Sequence, residues 1–192
     1  IAKMWNTELG WRIVDDTLQI KGGRGYETAD SLRLRGERPD PVERMMRDFR
    51  INLIFEGSSE IMRLFIAREA LDLHLGTAWD LVNPKSTMGQ KLGALPKVLG
   101  FYAWWYPSRW NGLFTAFKHG EYGGNGKHLR TAERLTRKLS RALFHQMMKF
   151  QARLEKKQIT VFRGVEIGAD LFAMVAAVLH AEAMKKAGHP NA

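Results

Sequence analysis

Ile54-Phe55-Glu56-Gly57-Ser58-Ser59-Glu60-Ile61-Met62-Arg63 is the stretch on which the fold turns. Apolar periodicity stops at Glu56-Gly57-Ser58-Ser59 and then resumes. Ser58 or Ser59 can cap a new helix, and Glu60 lies near its positive end. Ile61, Leu64, Phe65, Ala67, Leu71 and Leu75 carry that helix on or near one stripe to about Leu75. Upstream, Ile1, Trp5, Leu9, Trp11, Ile13 and Leu18 recur at near-helical spacing until Gly22-Gly23-Arg24-Gly25, a cluster able to cap and reverse the chain. Glu27 to Asp40 reads as an exposed, charged loop or insertion ending at Pro41, and Val42 to Ile54 as a short helix and connector. Downstream come a linker at Asn83-Pro84-Lys85-Ser86, the aromatic run Phe101-Tyr102-Ala103-Trp104-Trp105-Tyr106-Pro107 and a glycine-rich turn from Gly120 to Gly126. Helical patterns then cover roughly 127–158 and 163–187. Nothing alternates with period two for long enough to make a strand. The expected fold is all-α, a helical bundle over 1–82 followed by a second, basic helical domain over 85–192.

The 192 residues include 45% hydrophobic side chains, enough to bury a core and to argue against a disordered tail. The absence of cysteine excludes a disulfide scaffold, a thiolate zinc site and a cysteine nucleophile. The longest apolar run, Leu171 to Leu179, falls short of the roughly 20 residues that span a bilayer. No signal peptide is visible. Ile1 stands where a helix is already under way, so the chain reads as the C-terminal part of something longer. Net charge is +10, and it is divided unevenly. Residues 1–84 hold 12 basic and 14 acidic groups, a balance of −2, whereas 85–192 hold 18 and 6, a balance of +12. A basic half of that size invites an anionic neighbour.

Two stretches have the residue types for chemistry. In Gln19-Ile20-Lys21-Gly22-Gly23-Arg24-Gly25-Tyr26 the missing side chains let backbone amides approach a ligand, although the spacing is not the dinucleotide fingerprint and a helix C-cap explains it as well. Glu56 stands between Phe55 and Gly57 at the mouth of a helix. It reads either as a solvated first-turn carboxylate or as a general base, its pKa raised toward working pH if packing against Phe55 and Ile54 shields it from water.

Taken in order, these stretches, together with Pro41-Val42-Glu43-Arg44, Arg47-Asp48 and Ile66-Ala67-Arg68-Glu69, resemble the C-terminal helical domain of the acyl-CoA dehydrogenases over about residues 1–75. The resemblance implies FAD as cofactor and α,β-dehydrogenation of a fatty acyl-CoA thioester as the reaction. It assigns Glu56 as the base that removes the α-proton while the flavin accepts the β-hydride, and Gly57 as the residue whose amide helps hold the thioester carbonyl. It assigns Gln19, Ile20, Lys21, Gly22 and Gly23 to contact with the FAD of a neighbouring subunit, and Ser58 and Glu60 to the flavin's adenosine part. Arg47, Asp48 and Arg68 fit structural ion pairs. The charged segment Thr28 to Pro39 is longer than the family's usual connection.

Residues 85–192 are similar to the extra C-terminal helical domain of the very-long-chain type, which implies a long acyl chain as substrate and association with membrane. Lys127 to Lys157 holds ten basic and two acidic residues, with Arg130, Arg134, Arg137, Lys138 and Arg141 at helical spacing, a candidate face for an anionic membrane surface. The rings of 101–106 with Trp110, Phe114 and Phe117 could anchor at that interface or pack in a core. No nucleic-acid-binding signature accompanies the basic face. His119, His128 and His145 lack metal-ligand spacing. The family further implies a homodimer or higher homo-oligomer, electron-transfer flavoprotein as electron acceptor, and a bacterial cytoplasm or mitochondrial matrix as location. The alternative is a non-catalytic helical module that docks to anionic membrane or a protein partner.

Overall fold

The computed structural model describes residues 1–112 and 118–190, and its regular structure is helical throughout, with no strand among them. The chain divides into two compact units, Ile1–Leu64 and Phe65–Ala192.

In the first unit, α1 (Ala2–Lys21) runs unbroken through the predicted apolar repeat and stops where Gly22 adopts φ 60°. A single turn, α2 (Gly23–Tyr26), folds back on it. Gly25 is required there, because a Cβ would lie 2.7 Å from Leu18 O. The segment expected as an exposed loop instead contains α3 (Ala29–Leu34). Thr28 caps it by accepting from Ser31 N, and Leu32 is buried beneath it. Its charges pair among themselves and with neighbours: Glu27 with Arg35, Asp30 with Arg33, Glu37 with Arg24 and Asp40 with Lys21. The Thr28 cap and the buried Leu32 anchor this polar insertion, and the exposed pairs each add little. Then α4 (Val42–Arg50) packs across α1, where Gly10 leaves room for the Phe49 ring. Arg47 pairs with Glu43 and Arg44 with Asp48, matching the structural role expected for Arg47 and Asp48. A 3-10 turn over Ile51–Leu53 leads to α5 (Ser59–Val82), seven residues longer than its apolar stripe suggested.

In the second unit, α6 (Met88–Ser108) begins with a Thr87–Gln90 capping box and absorbs the aromatic run. α7 (Gly126–Phe150) and α8 (Gln158–Lys186) form an antiparallel hairpin. Gly164 and Gly168, one turn apart on α8, receive Leu143 and Leu139 of α7 in reverse order. The helical pattern expected to run on to 158 ends at Phe150 because Gln151 takes φ 48°, and a 3-10 turn over Gln151–Lys156 makes the reversal.

The core reading for the rings holds for Phe101, Tyr102 and Trp105, which cluster with Phe144 of α7 around His74 of α5. Trp104 and Trp110 stand exposed, Trp110 beneath the Arg141 guanidinium at 4.0 Å. Phe114 and Phe117 lie outside the described residues. The α5 stripe is not a buried face in this chain: Ile61, Leu64, Phe65 and Leu75 are exposed, and the buried positions are Ser59, Ala67 and His74.

Candidate active site

Glu56 occupies the turn between the 3-10 segment and α5, and its backbone is left-handed, φ 53°, followed by Gly57 at φ 94°. Holding a non-glycine residue there costs about 1–2 kcal/mol. Gly57 meets that demand freely, and a Cβ on it would come within 3.0 Å of Met62 Sδ. One residue of α1 grips the turn from 54 positions away, and a second fastens α5 just beyond it from 55. Lys3 Nζ donates to Gly57 O at 2.6 Å, and Arg63 pairs with Glu8 at 2.7 Å, both side chains largely buried. Neither Lys3 nor Glu8 stands out in the sequence, because their meaning depends on which turn α1 passes.

Ser58 Oγ accepts from Ile61 N and caps α5 as expected. The Glu60 carboxyl is held below its usual range by its own backbone amide and by the Ser58 hydroxyl. The Ser59 hydroxyl is buried without a hydrogen-bond partner. Glu56 itself is exposed, as are Ile54 and Phe55, so these neighbours do not supply the shielding from water that the sequence suggested.

The other candidate residues lie at the far end of the same helix. Gln19, Ile20 and Lys21 close α1 with Gly22 and Gly23 following, and all five are exposed, Ile20 by 85%. Lys21 pairs with Asp40, and nothing lies within 4 Å of where a Cβ would stand on Gly22 or Gly23. Since Lys3 touches the Glu56 turn, eighteen residues of helix, about 27 Å at the α-helical rise, separate the two clusters. One chain therefore does not bring Glu56 and the glycine loop to a common point. Gln19 to Gly23 form an open rim where backbone is accessible, and the orphaned Ser59 hydroxyl is a buried polar position beside Ser58 and Glu60.

Charge in the second unit is arranged differently from the sequence expectation. Arg130 donates to Lys118 O, Arg137 to Asn111 O and Arg141 to Arg109 O, so three of the five named basic residues bind backbone carbonyls. Arg134 and Lys138 are exposed. His119 lies beside Glu133, and His145 meets Tyr106 OH at 2.9 Å. No group of three or more metal-ligating side chains occurs among the described residues. No helix among them is long and apolar enough to cross a membrane.

Residues 1–71 match the family model described as acyl-CoA dehydrogenase, C-terminal domain, and the chain carries that domain. Among relatives, a probable acyl-CoA dehydrogenase FadE10 of Mycobacterium tuberculosis is 54% identical over 190 residues, covering 97% of this chain and 29% of that protein. The human mitochondrial very long-chain specific acyl-CoA dehydrogenase is 30% identical over 199 residues, covering all of this chain and 28% of that protein. The likeness thus continues through the second unit, and the chain spans under a third of the length of these relatives.

Proposed function

We propose that this chain contributes the catalytic base and a cofactor rim to an FAD-dependent acyl-CoA dehydrogenase acting on long-chain fatty acyl-CoA. The observation that carries the reading is the Glu56 turn, a carboxylate kept on a costly backbone conformation by a lysine and an ion pair from another helix. Glu56 Oε removes the proton from the carbon next to the thioester carbonyl. The Gly57 N–H donates to the carbonyl oxygen as negative charge develops there, which is the condition under which such a proton can be removed. Glu56 then holds the proton until product leaves. FAD, when bound, supplies the two-electron oxidation that completes the double bond.

In this reading Gln19, Ile20, Lys21, Gly22 and Gly23 hold the flavin of a second copy, as the family resemblance implies, and their place far along α1 from the Glu56 turn supports it. Ser58 and Glu60 serve the adenosine part. The partners are a second copy of the chain in a dimer or larger assembly and electron-transfer flavoprotein as acceptor, in a cytoplasmic or matrix compartment. The domain assignment is 1–82 for the catalytic-family bundle and 85–192 for the accessory one.

The test is Glu56→Gln in the complete flavin-loaded polypeptide. Mixing with acyl-CoA should no longer bleach the flavin, while its absorbance shows it still bound; undiminished bleaching would sink the assignment.

One observation favours an additional, peripheral role for the second unit. From Leu81 to Gly120 there is no acidic residue, and α6 presents Met88, Leu92, Leu99 and Trp104 to solvent near Lys85 and Lys97. Together with Arg134 and Lys138, this suits an anionic membrane surface at which long acyl chains reside.

A further inference from the structure

We infer that Lys3 is a positioning residue for the reaction, setting the plane of the backbone at Glu56–Gly57; the inference rests on the reading of Glu56 as the base. Glu56 and Gly57 hold positive φ in succession. Such a pair persists only where the surroundings over-determine it. Glycine adds to the difficulty, since it can rotate its flanking peptides at little cost and so cannot by itself hold an N–H toward a reacting oxygen.

Three contacts from outside the turn restrict it. Lys3 Nζ takes the Gly57 carbonyl at 2.6 Å in a part-buried setting. Met62 Sδ lies against one side of Gly57. At the next residue of α5, Arg63 is fastened to Glu8, itself five residues from Lys3 on α1. Of these, only the Lys3 bond acts directly on a peptide group of the turn. An ammonium on the Gly57 carbonyl fixes that peptide, and through the Gly57 Cα it limits the peptide between Glu56 and Gly57. A charge-assisted bond in a partly desolvated place is strong enough to decide among glycine's otherwise similar conformations. Lys3 does not touch substrate; it acts through Gly57.

The experiment uses the complete flavin-loaded polypeptide with Lys3→Met, Lys3→Arg and, as a control nine residues further along α1, Arg12→Met at an exposed position. Rapid mixing with acyl-CoA yields the limiting rate of flavin reduction and the half-saturating concentration separately. Lys3→Met should lower the limiting rate about tenfold or more, the scale on which a misplaced group acts, and move half-saturation by less than about threefold. Lys3→Arg should restore most of the rate, and Arg12→Met should match the parent. Hydrogen exchange provides a readout that needs no turnover: amides of 55–62 should exchange faster in Lys3→Met, with those of 88–108 unchanged.

An unaltered limiting rate in Lys3→Met overturns the proposal, and so does a loss that follows flavin retention and that Lys3→Arg does not restore. If Lys3→Met does not fold, Lys3→Gln, a neutral donor, takes its place in the same comparison. Failure of the two readings is distinguishable. Full reduction by Glu56→Gln removes the base, whereas an inactive Glu56→Gln beside a fully active Lys3→Met removes the positioning role alone.

Discussion

His74 lies among rings from two other helices: Trp105 meets it edge-on at 4.6 Å, Tyr102 stacks at 5.7 Å with its hydroxyl 3.1 Å from Nδ1, and Phe101 and Phe144 complete the surround. Burial lowers its pKa, and the Arg109 charge adds to that. The unfolded chain therefore takes up a proton near the ordinary histidine pKa, about 6.5, that the folded chain refuses. Stability is fully present above that value and falls as pH drops below it. Urea unfolding between pH 7.5 and 5, followed by tryptophan fluorescence, should show the midpoint falling with pH, and His74→Gln should flatten the slope. An unchanged slope in His74→Gln would assign the dependence elsewhere. Sequence spacing picked out His119, His128 and His145 and passed over His74, because nothing within α5 reveals which rings will meet it. Glu56 was legible for the opposite reason: its type and its place beside glycine at a helix mouth are local, whereas Lys3, which holds its turn through Gly57, is 54 residues from its partner, and Glu8 is 55 from Arg63.

Helices were readable wherever their stop signals were local. α1 ends at the predicted glycines, and α5 starts at the predicted serine. α3 was missed because a charged six-residue helix has almost no apolar period, and its order comes from Thr28, Leu32 and pairs made across the loop. On α7, spacing placed the arginines on a helix but could not show that Arg130, Arg137 and Arg141 reach the carbonyls of Lys118, Asn111 and Arg109. The membrane proposal consequently belongs to α6 as much as to α7. Sedimentation with anionic vesicles should show binding that weakens as salt rises, since exposed charges are screened within about 10 Å at 0.1 M. Leu99→Glu on α6 should reduce binding more than Arg141→Gln on α7. The reverse ranking, or binding indifferent to both, would reject an apolar contact through α6.

Across the whole molecule the +10 charge separates into a nearly balanced first part and a +12 second part, which was visible by counting. What counting could not reach is distance. The stretches 19–23 and 56–60 both carry candidate site residues, and α1 holds them about 27 Å apart. That length has a genetic consequence. Take two inactive variants, Glu56→Gln and Gly22→Val, and express them together. If one chain supplied both halves of a site, every site would be damaged and the mixture would stay inactive. If the glycine loop serves the neighbouring copy, each mixed dimer holds one site made of an intact Glu56 and an intact loop, and about a quarter of the parental activity should return. Complementation between two dead alleles would thus be written into the length of a single helix.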